Sequence, residues 1–352
     1  MTMKRTSGRD LEAALAATSP SEPTTAASDA ASQIVSDLSY VNPELRPVAE
    51  IIQAVRATFP RATLSTLGEW RERQTAWAFP ALDAPGYEKR AIAGPAGAPD
   101  LTIYVINAEP GKSKPAVLHM HGGGYIGMSA KNDIANLQSI AGALDCVIVT
   151  VEYRLAPETT YMGSTEDNYT GLLWLYRQAE ELGVDRERIA VMGESAGGGH
   201  AALLALTARD RGEVPLIYQA LTYPMLDDRT GVTHVPPSPI GSLGWSVEDN
   251  RFGWGSFLGQ EPGTETVPAR AVPARNADLK GLPPAFIGVG SIDLFVEEGV
   301  EYARRLTDSG VATELHVVPG AFHGFDIAGA QTSVAKDFKA ARLAALGRAF
   351  AM

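Results

Sequence analysis

From about residue 85 onward, short apolar runs alternate with longer stretches whose apolar positions recur at helical spacing. The short runs, Lys89–Ala93, Leu101–Asn107, Pro115–His121, Cys146–Glu152, Ile189–Met192, Leu216–Thr222, Pro284–Gly290 and Thr313–Val318, read as strands. Between and after them, Asn132–Leu144, Glu166–Leu182, Ala201–Ala208, Val296–Asp308 and Ser333–Phe350 read as helices. Strands alternating with helices of this length imply right-handed crossovers and an α/β fold with a mostly parallel sheet, covered on both faces. Ahead of this pattern, Pro43–Phe59 opens as a helix with prolines in its first turns and carries Val48, Ile51, Ile52 and Val55 as an apolar stripe. A second helix is expected over Leu64–Trp77.

Two segments stand outside the alternation. Residues 224–284 form a stretch without clear periodicity, long for a connection and therefore expected to be functional or partly structured. Residues 34–84 are the N-terminal helical region, preceded by an Ala-, Ser-, Thr- and Pro-rich stretch, 1–33, expected to be a flexible tail. Four of the five tryptophans lie in these two segments: Trp70 and Trp77 in the first, Trp245 and Trp254 in the second. An aromatic concentration of this kind suggests that 34–84 and 224–284 meet over the carboxyl edge of the sheet as an apolar cap. The catalytic body is then 85–223 together with 285–352.

Composition narrows the function. A net charge of −11 over 352 residues, without clustered Lys or Arg, argues against nucleic acid as a partner. No apolar run approaches the roughly 20 residues of a membrane span, and the N-terminus does not read as a secretory signal. A cytoplasmic setting is the default expectation. The single cysteine, Cys146, sits in an apolar run and reads as a buried small hydrophobe.

Chemistry concentrates at Gly193-Glu-Ser-Ala-Gly197, which stands between a strand and a helix. Gly-x-Ser-x-Gly in that setting is a nucleophile elbow: the turn is so tight that only glycine fits two residues either side of the serine. Upstream, His121-Gly122-Gly123-Gly124-Tyr125-Ile126-Gly127 admits two readings. As Gly-x-Gly-x-x-Gly it would be a dinucleotide fingerprint, with Glu152 as the ribose-binding acid and an oxidoreductase as the consequence. The third glycine, however, falls before the next helix rather than inside it. As His-Gly-Gly-Gly it is a loop that turns backbone amides into a cavity, and Gly123, Gly124 and Ala196 would together supply an oxyanion hole. The elbow downstream favours this second reading, with His121 as a structural residue.

A serine nucleophile needs a base and an acid, in the order Ser, Asp or Glu, His. Beyond Ser195 there are His200, His234, His316 and His323. His200 lies in the helix behind the serine, His234 precedes any acid-bearing strand, and His316 is inside a strand. His323 follows a strand's carboxyl end and is the candidate base. Asp293 holds the corresponding place after Pro284–Gly290, with Glu297 and Glu298 already on the next helix.

Assembled in this order, the motifs resemble those of the hormone-sensitive-lipase-like branch of serine esterases, the bacterial family IV lipolytic enzymes. The resemblance covers about residues 85 to 350 and rests on His121–Tyr125, Tyr153-Arg-Leu-Ala-Pro-Glu158, Gly193–Gly198, Asp293-Leu-Phe with Glu297-Glu298, and His323-Gly-Phe325. It implies an α/β-hydrolase fold with a helical cap, a Ser195–His323–Asp293 triad, and a carboxylesterase working without cofactor or metal on small acyl esters of short to medium chain. A homodimer is compatible with this reading. An amidase or carbamate hydrolase would keep the same triad, whereas a non-catalytic receptor on this scaffold would be expected to lack His323. Two departures stand out: Glu194, where relatives often carry Asp, and Thr159–Gly163, where a proline-rich turn is usual.

Overall fold

In the computed structural model, which describes residues 38–76 and 78–351, eight strands form one sheet. The strands are β1 (Tyr87–Ile92), β2 (Leu101–Ile106), β3 (Lys114–Met120), β4 (Val147–Val151), β5 (Val184–Glu194), β6 (Tyr218–Thr222), β7 (Ala285–Gly290) and β8 (Thr313–Val318). Their spatial order is β1-β2-β4-β3-β5-β6-β7-β8; β2 is antiparallel to both its neighbours and every other pairing is parallel. Strands β3, β4, β6 and β7 are buried along their whole length, which is why they read as continuous apolar runs rather than alternating ones.

The helices are α1 (Arg46–Thr58), α2 (Leu67–Thr75), α3 (Ile134–Leu144), α4 (Tyr161–Arg177), the short α5 (Ala179–Leu182), α6 (Ala196–Arg211), α7 (Val247–Leu258), α8 (Val296–Asp308), the short α9 (Phe325–Ala328) and α10 (Ser333–Phe350). Those of the α/β body fall near where the periodicity puts them, although α4 and α6 each begin five residues earlier than expected, α6 runs three residues further, the expected 166–182 helix is divided into α4 and α5, and β5 is longer at both ends. Every parallel connection delivers the chain to the same sheet edge, so the residues following β3, β5, β7 and β8 are neighbours there.

The structure differs from the sequence pattern at two elements. The expected stripe on α1 is only partly seated: Val48, Ile52 and Val55 are half-buried and Ile51 is 38% exposed, while the buried residue is Ala49. The side that meets the protein carries Leu45, Ala49 and Arg56 at i, i+4 and i+11, and Arg56 breaks its apolar character because it has polar partners to reach. Within 224–284 the helix α7 had no visible period. Its glycines hide it, and Gly253 is there for clearance, since a β-carbon would come within 2.6 Å of the Gly124 carbonyl oxygen. At the start of α7 the Ser246 hydroxyl caps the Asp249 amide at 3.1 Å. Trp77 and the 1–33 tail expectation lie outside the described residues.

No described helix is long and apolar enough to cross a membrane.

Candidate active site

The turn after β5 places Ser195 at φ 58°, ψ −122°, a conformation that costs a non-glycine residue energy and that the surroundings must enforce. They do so through backbone bonds: the Ser195 amide donates to Thr222 O at 2.9 Å, and the Met225 amide donates to Ser195 O at 2.9 Å. The flanking glycines are obligatory. A β-carbon on Gly193 would lie 2.2 Å from the Gly197 oxygen, and one on Gly197 would lie 2.0 Å from the Met120 oxygen.

His323, five residues past β8, directs Nε2 to Ser195 Oγ at 2.9 Å. Its Nδ1 meets the two carboxylate oxygens of Asp293, which follows β7, at 2.9 and 3.1 Å. Asp293 is fully buried and also accepts the Phe295 amide at 2.9 Å, which fixes its plane. Nδ1–H donating to the carboxylate leaves Nε2 as the acceptor for the serine hydroxyl. The rings of Tyr223 and Phe295 approach the imidazole edge-on, with centroids 4.7 and 5.1 Å away.

The competing residues are engaged elsewhere. Glu298 accepts the Leu226 amide at 2.8 Å and the Thr230 hydroxyl at 2.6 Å, tethering the start of the 224–284 segment. Burial, reinforced by the charge of Asp227, holds its carboxyl well above the usual range. Glu297 pairs with His234 on the surface. Glu152 accepts from Ser129 Oγ and the Ala130 amide, so the acid required by the dinucleotide reading is occupied in holding the loop. Gly127 precedes the first helical residue, Ala130, as the oxyanion-loop reading expects.

His121 holds its loop as anticipated: Nδ1–H donates to the Gly122 oxygen at 2.8 Å, and the ring stacks on Tyr153 at 4.2 Å. The Tyr153 hydroxyl donates to His121 O at 2.7 Å, so the Tyr153–Glu158 motif braces the glycine loop from beneath. Gly123 and Gly124 have φ of 109° and 61°. Gly122 lies beside Ser195, where a β-carbon would be 3.5 Å from Ser195 Cβ. Ala196 opens α6, and a first-turn amide has no partner within its own helix.

Sequence reasoning missed three supports. Arg71 on α2 donates to Ile126 O at 2.6 Å, to Ala156 O at 2.9 Å and to both Glu158 oxygens at 2.7 and 2.8 Å, joining the glycine loop to the Tyr153–Glu158 motif. Beneath the elbow, Glu194 bonds His119 Nε2 and Arg342 Nη1, each at 2.8 Å. Burial would raise the Glu194 carboxyl, but His119 and Arg342 outweigh it and bring it to about 2. The third is Trp245, whose ring lies on Gly124 and meets the edge of Trp70 at 6.3 Å. A buried charge and a distant partner leave no local sequence signal.

His200 is buried among Tyr125, Tyr153 and Phe257, and neither ring nitrogen has a hydrogen-bond partner among the described residues. Burial, with the neighbouring His121, pushes it down to about 3. The folded value lies below the unfolded one, so the unfolded state binds the extra proton and stability falls as pH drops from 6.5 towards 3. Each pH unit in that window costs about 1.4 kcal/mol. His200→Leu should remove this component, so urea titrations at pH 7.5, 6 and 5 should show a shallower acid loss than the parent. Parallel pH curves would contradict the assignment.

A family model described as alpha/beta hydrolase fold matches residues 117–327. The chain belongs to the alpha/beta-hydrolase family. Its place is the hormone-sensitive-lipase-like branch. Carboxylesterase NlhH of Mycobacterium tuberculosis is 33% identical over 314 residues, covering 87% of this chain and 97% of the relative. Ethyl acetate hydrolase of Pseudomonas putida is 34% identical over 62% of this chain and 68% of its own length. Among solved structures, a bacterial heroin esterase superposes with a TM-score of 0.79 at 34% identity, covering 89% of this chain and 99% of its own.

Proposed function

We propose that this chain, an ester hydrolase, works through an acyl-enzyme on Ser195, with His323 as general base and acid and Asp293 as its orienting carboxylate. Ser195 Oγ attacks the ester carbonyl as its proton passes to His323 Nε2. The carbonyl π pair moves onto oxygen, and the resulting oxyanion is held by the amides of Gly123, Gly124 and Ala196. The C–O bond to the alcohol breaks, the alcohol takes the proton from His323, and water repeats the sequence to release the acid. The observation that carries this reading is the continuous hydrogen-bonded line from Asp293 to Ser195 Oγ, 2.9 Å at each step.

The acyl groups we infer are short to medium. Trp245 on Gly124, Trp70 beside it, and Gly244 against His323 bring residues of 34–84 and 224–284 close to the reacting centre, in keeping with a cap over a finite pocket. Each methylene that fits contributes up to about 0.8 kcal/mol of burial, roughly fourfold in turnover efficiency. Across p-nitrophenyl esters, kcat/KM should hold or rise from acetate to hexanoate and then fall.

An organophosphonate should give one adduct by intact mass, mapping to the Ser195 peptide and absent from Ser195→Ala. Labelling that persists in the variant would refute the assignment, and equal efficiency on butyrate and palmitate would refute the finite pocket.

A further inference from the structure

One short piece of the 224–284 segment runs along all three parts of the proposed catalytic constellation. The Gly241 amide donates to Ile292 O at 3.0 Å, and a β-carbon on Gly241 would lie 2.9 Å from Leu294, so this end rests on the two neighbours of Asp293. Gly244 rests on the base: a β-carbon there would be 2.5 Å from His323 O and 2.9 Å from His323 Cβ. Trp245 ends on the oxyanion loop, its ring within 2.2 Å of where a Gly124 β-carbon would be. Gly241 and Gly244 have φ of 74° and 78°, values glycine adopts without strain. Residues 241–245 belong to no helix or strand, so the position of this strap depends on what fastens it.

The fastening comes from the N-terminal segment. Arg56 Nη1 donates to Gly244 O at 2.6 Å, and Nη2 donates to Asp249 Oδ2 at 2.9 Å. Asp249 is held in turn by the Ser246 hydroxyl at 2.7 Å and the Ala62 amide at 3.3 Å. Tyr40 OH and Ser242 Oγ lie 3.2 Å apart, and Trp245 Nε1 donates to Asn250 Oδ1 at 3.1 Å. Among these ties Arg56 alone grips the residue that rests on His323. Its guanidinium is a planar fork that can hold two acceptors in one fixed geometry, which a lysine ammonium cannot.

We propose that Arg56 is a specificity-determining residue: by fastening Gly244 it sets the height of the 241–245 strap over Ser195, and with it the acyl length the pocket accepts. The proposal rests on the reading of Ser195 as nucleophile given above. The side chain of Arg56 is 36% exposed and that of Asp249 is 9% exposed, so the ion pair itself adds little stability. What matters is where it holds the backbone. A two-carbon acyl group does not extend to the strap and is indifferent to its height. A six-carbon chain packs against it, and a ten-carbon chain fits only if it lifts.

Full-length parent, Arg56→Met and Arg56→Lys are to be compared on p-nitrophenyl acetate, hexanoate and decanoate, with thermal unfolding alongside. In Arg56→Met the hexanoate-to-acetate ratio of kcat/KM should fall about tenfold, through KM rather than kcat, while the decanoate-to-hexanoate ratio rises. Arg56→Lys, keeping one bond, should recover part of the parent profile. Raising salt to 1 M, where the Debye length is about 3 Å, should move the parent ratio part of the way to that of Arg56→Met and leave that variant unmoved. An unchanged ratio in a folded variant, or equal losses on all three esters, would overturn the proposal. If Arg56→Met does not fold, the lysine variant and the salt response of the parent decide in its place. Phosphonate labelling separates the two readings: no Ser195 adduct in the parent defeats the nucleophile, whereas an intact adduct with an unmoved profile defeats Arg56 alone.

Discussion

Asp293→Asn is expected to lower kcat by about 10⁴-fold, about 5.4 kcal/mol of transition-state stabilisation, with little change in stability. The side chain sits at the end of a buried path and does two things, accepting the Phe295 amide and facing His323 Nδ1. An asparagine can keep the first contact through its carbonyl oxygen. It then presents NH₂ to Nδ1, which drives the imidazole to the tautomer with its proton on Nε2. That nitrogen faces Ser195 Oγ at 2.9 Å and can no longer accept the serine proton. Glu297→Gln and Glu298→Gln should stay within about tenfold of the parent, the equivalent of 1.4 kcal/mol. Glu297 meets His234 at the surface, and Glu298 faces two donors in a site that favours its neutral form, which glutamine imitates. Steady-state kinetics on a butyrate ester separates the three carboxylates. A Glu298→Gln enzyme as inactive as Asp293→Asn would move the acid onto α8.

These carboxylates also show what could be read in the sequence. The place of Asp293 beside His323 was legible because strand-end position is a local property: an apolar run stops, and the first acidic residue after it stands at the sheet edge. The same holds for Ser195, His323 and the glycine loop, each following a run whose length and composition mark a buried strand. The α/β body was legible for the same reason. What stayed hidden depends on partners far along the chain. Arg71 and Glu158 are 87 residues apart, Arg56 and Gly244 are 188 apart, and neither arginine differs locally from one on a solvated helix face. Helix α7 was hidden by a related cause, since Gly253 is needed for the close approach of Gly124 and glycine weakens the helical pattern. The stripe on α1 was right for Val48, Ile52 and Val55 and missed at Ile51, because period alone does not fix how far the seated face is rotated towards Ala49 and Arg56. Glu194, where relatives often carry Asp, is a visible departure in the sequence, but its consequence depends on His119 and Arg342 beside it.

Arg342→Met is expected to destabilise the protein by about 3–5 kcal/mol at pH 7, the usual result of stranding one half of a buried ion pair. Arg342 on α10 is 1% exposed, donates to Glu194 Oε1 at 2.8 Å and to Thr222 Oγ1 at 3.2 Å, and so joins α10 to β5 and β6 directly under Ser195. Methionine replaces the stem without the charge, leaving Glu194 with His119 alone. The loss should depend on pH in a definite direction. In the parent, Glu194 titrates at about 2 against an ordinary value of 4.5, so its contribution is fully present above 4.5 and is lost as pH falls towards 2. In Arg342→Met the carboxyl rises, the proton is taken up earlier, and the stranded charge disappears in mild acid. The deficit measured by urea unfolding should therefore shrink between pH 7 and pH 3.5. Glu194→Gln combined with Arg342→Met should recover at least half of it at pH 7, because the cost lies in an unpaired charge rather than in lost packing. A deficit that is equal at both pH values and undiminished in the double variant would mean that Arg342 acts through its aliphatic stem, and that Glu194 is held ionised beneath Ser195 by His119 without its help.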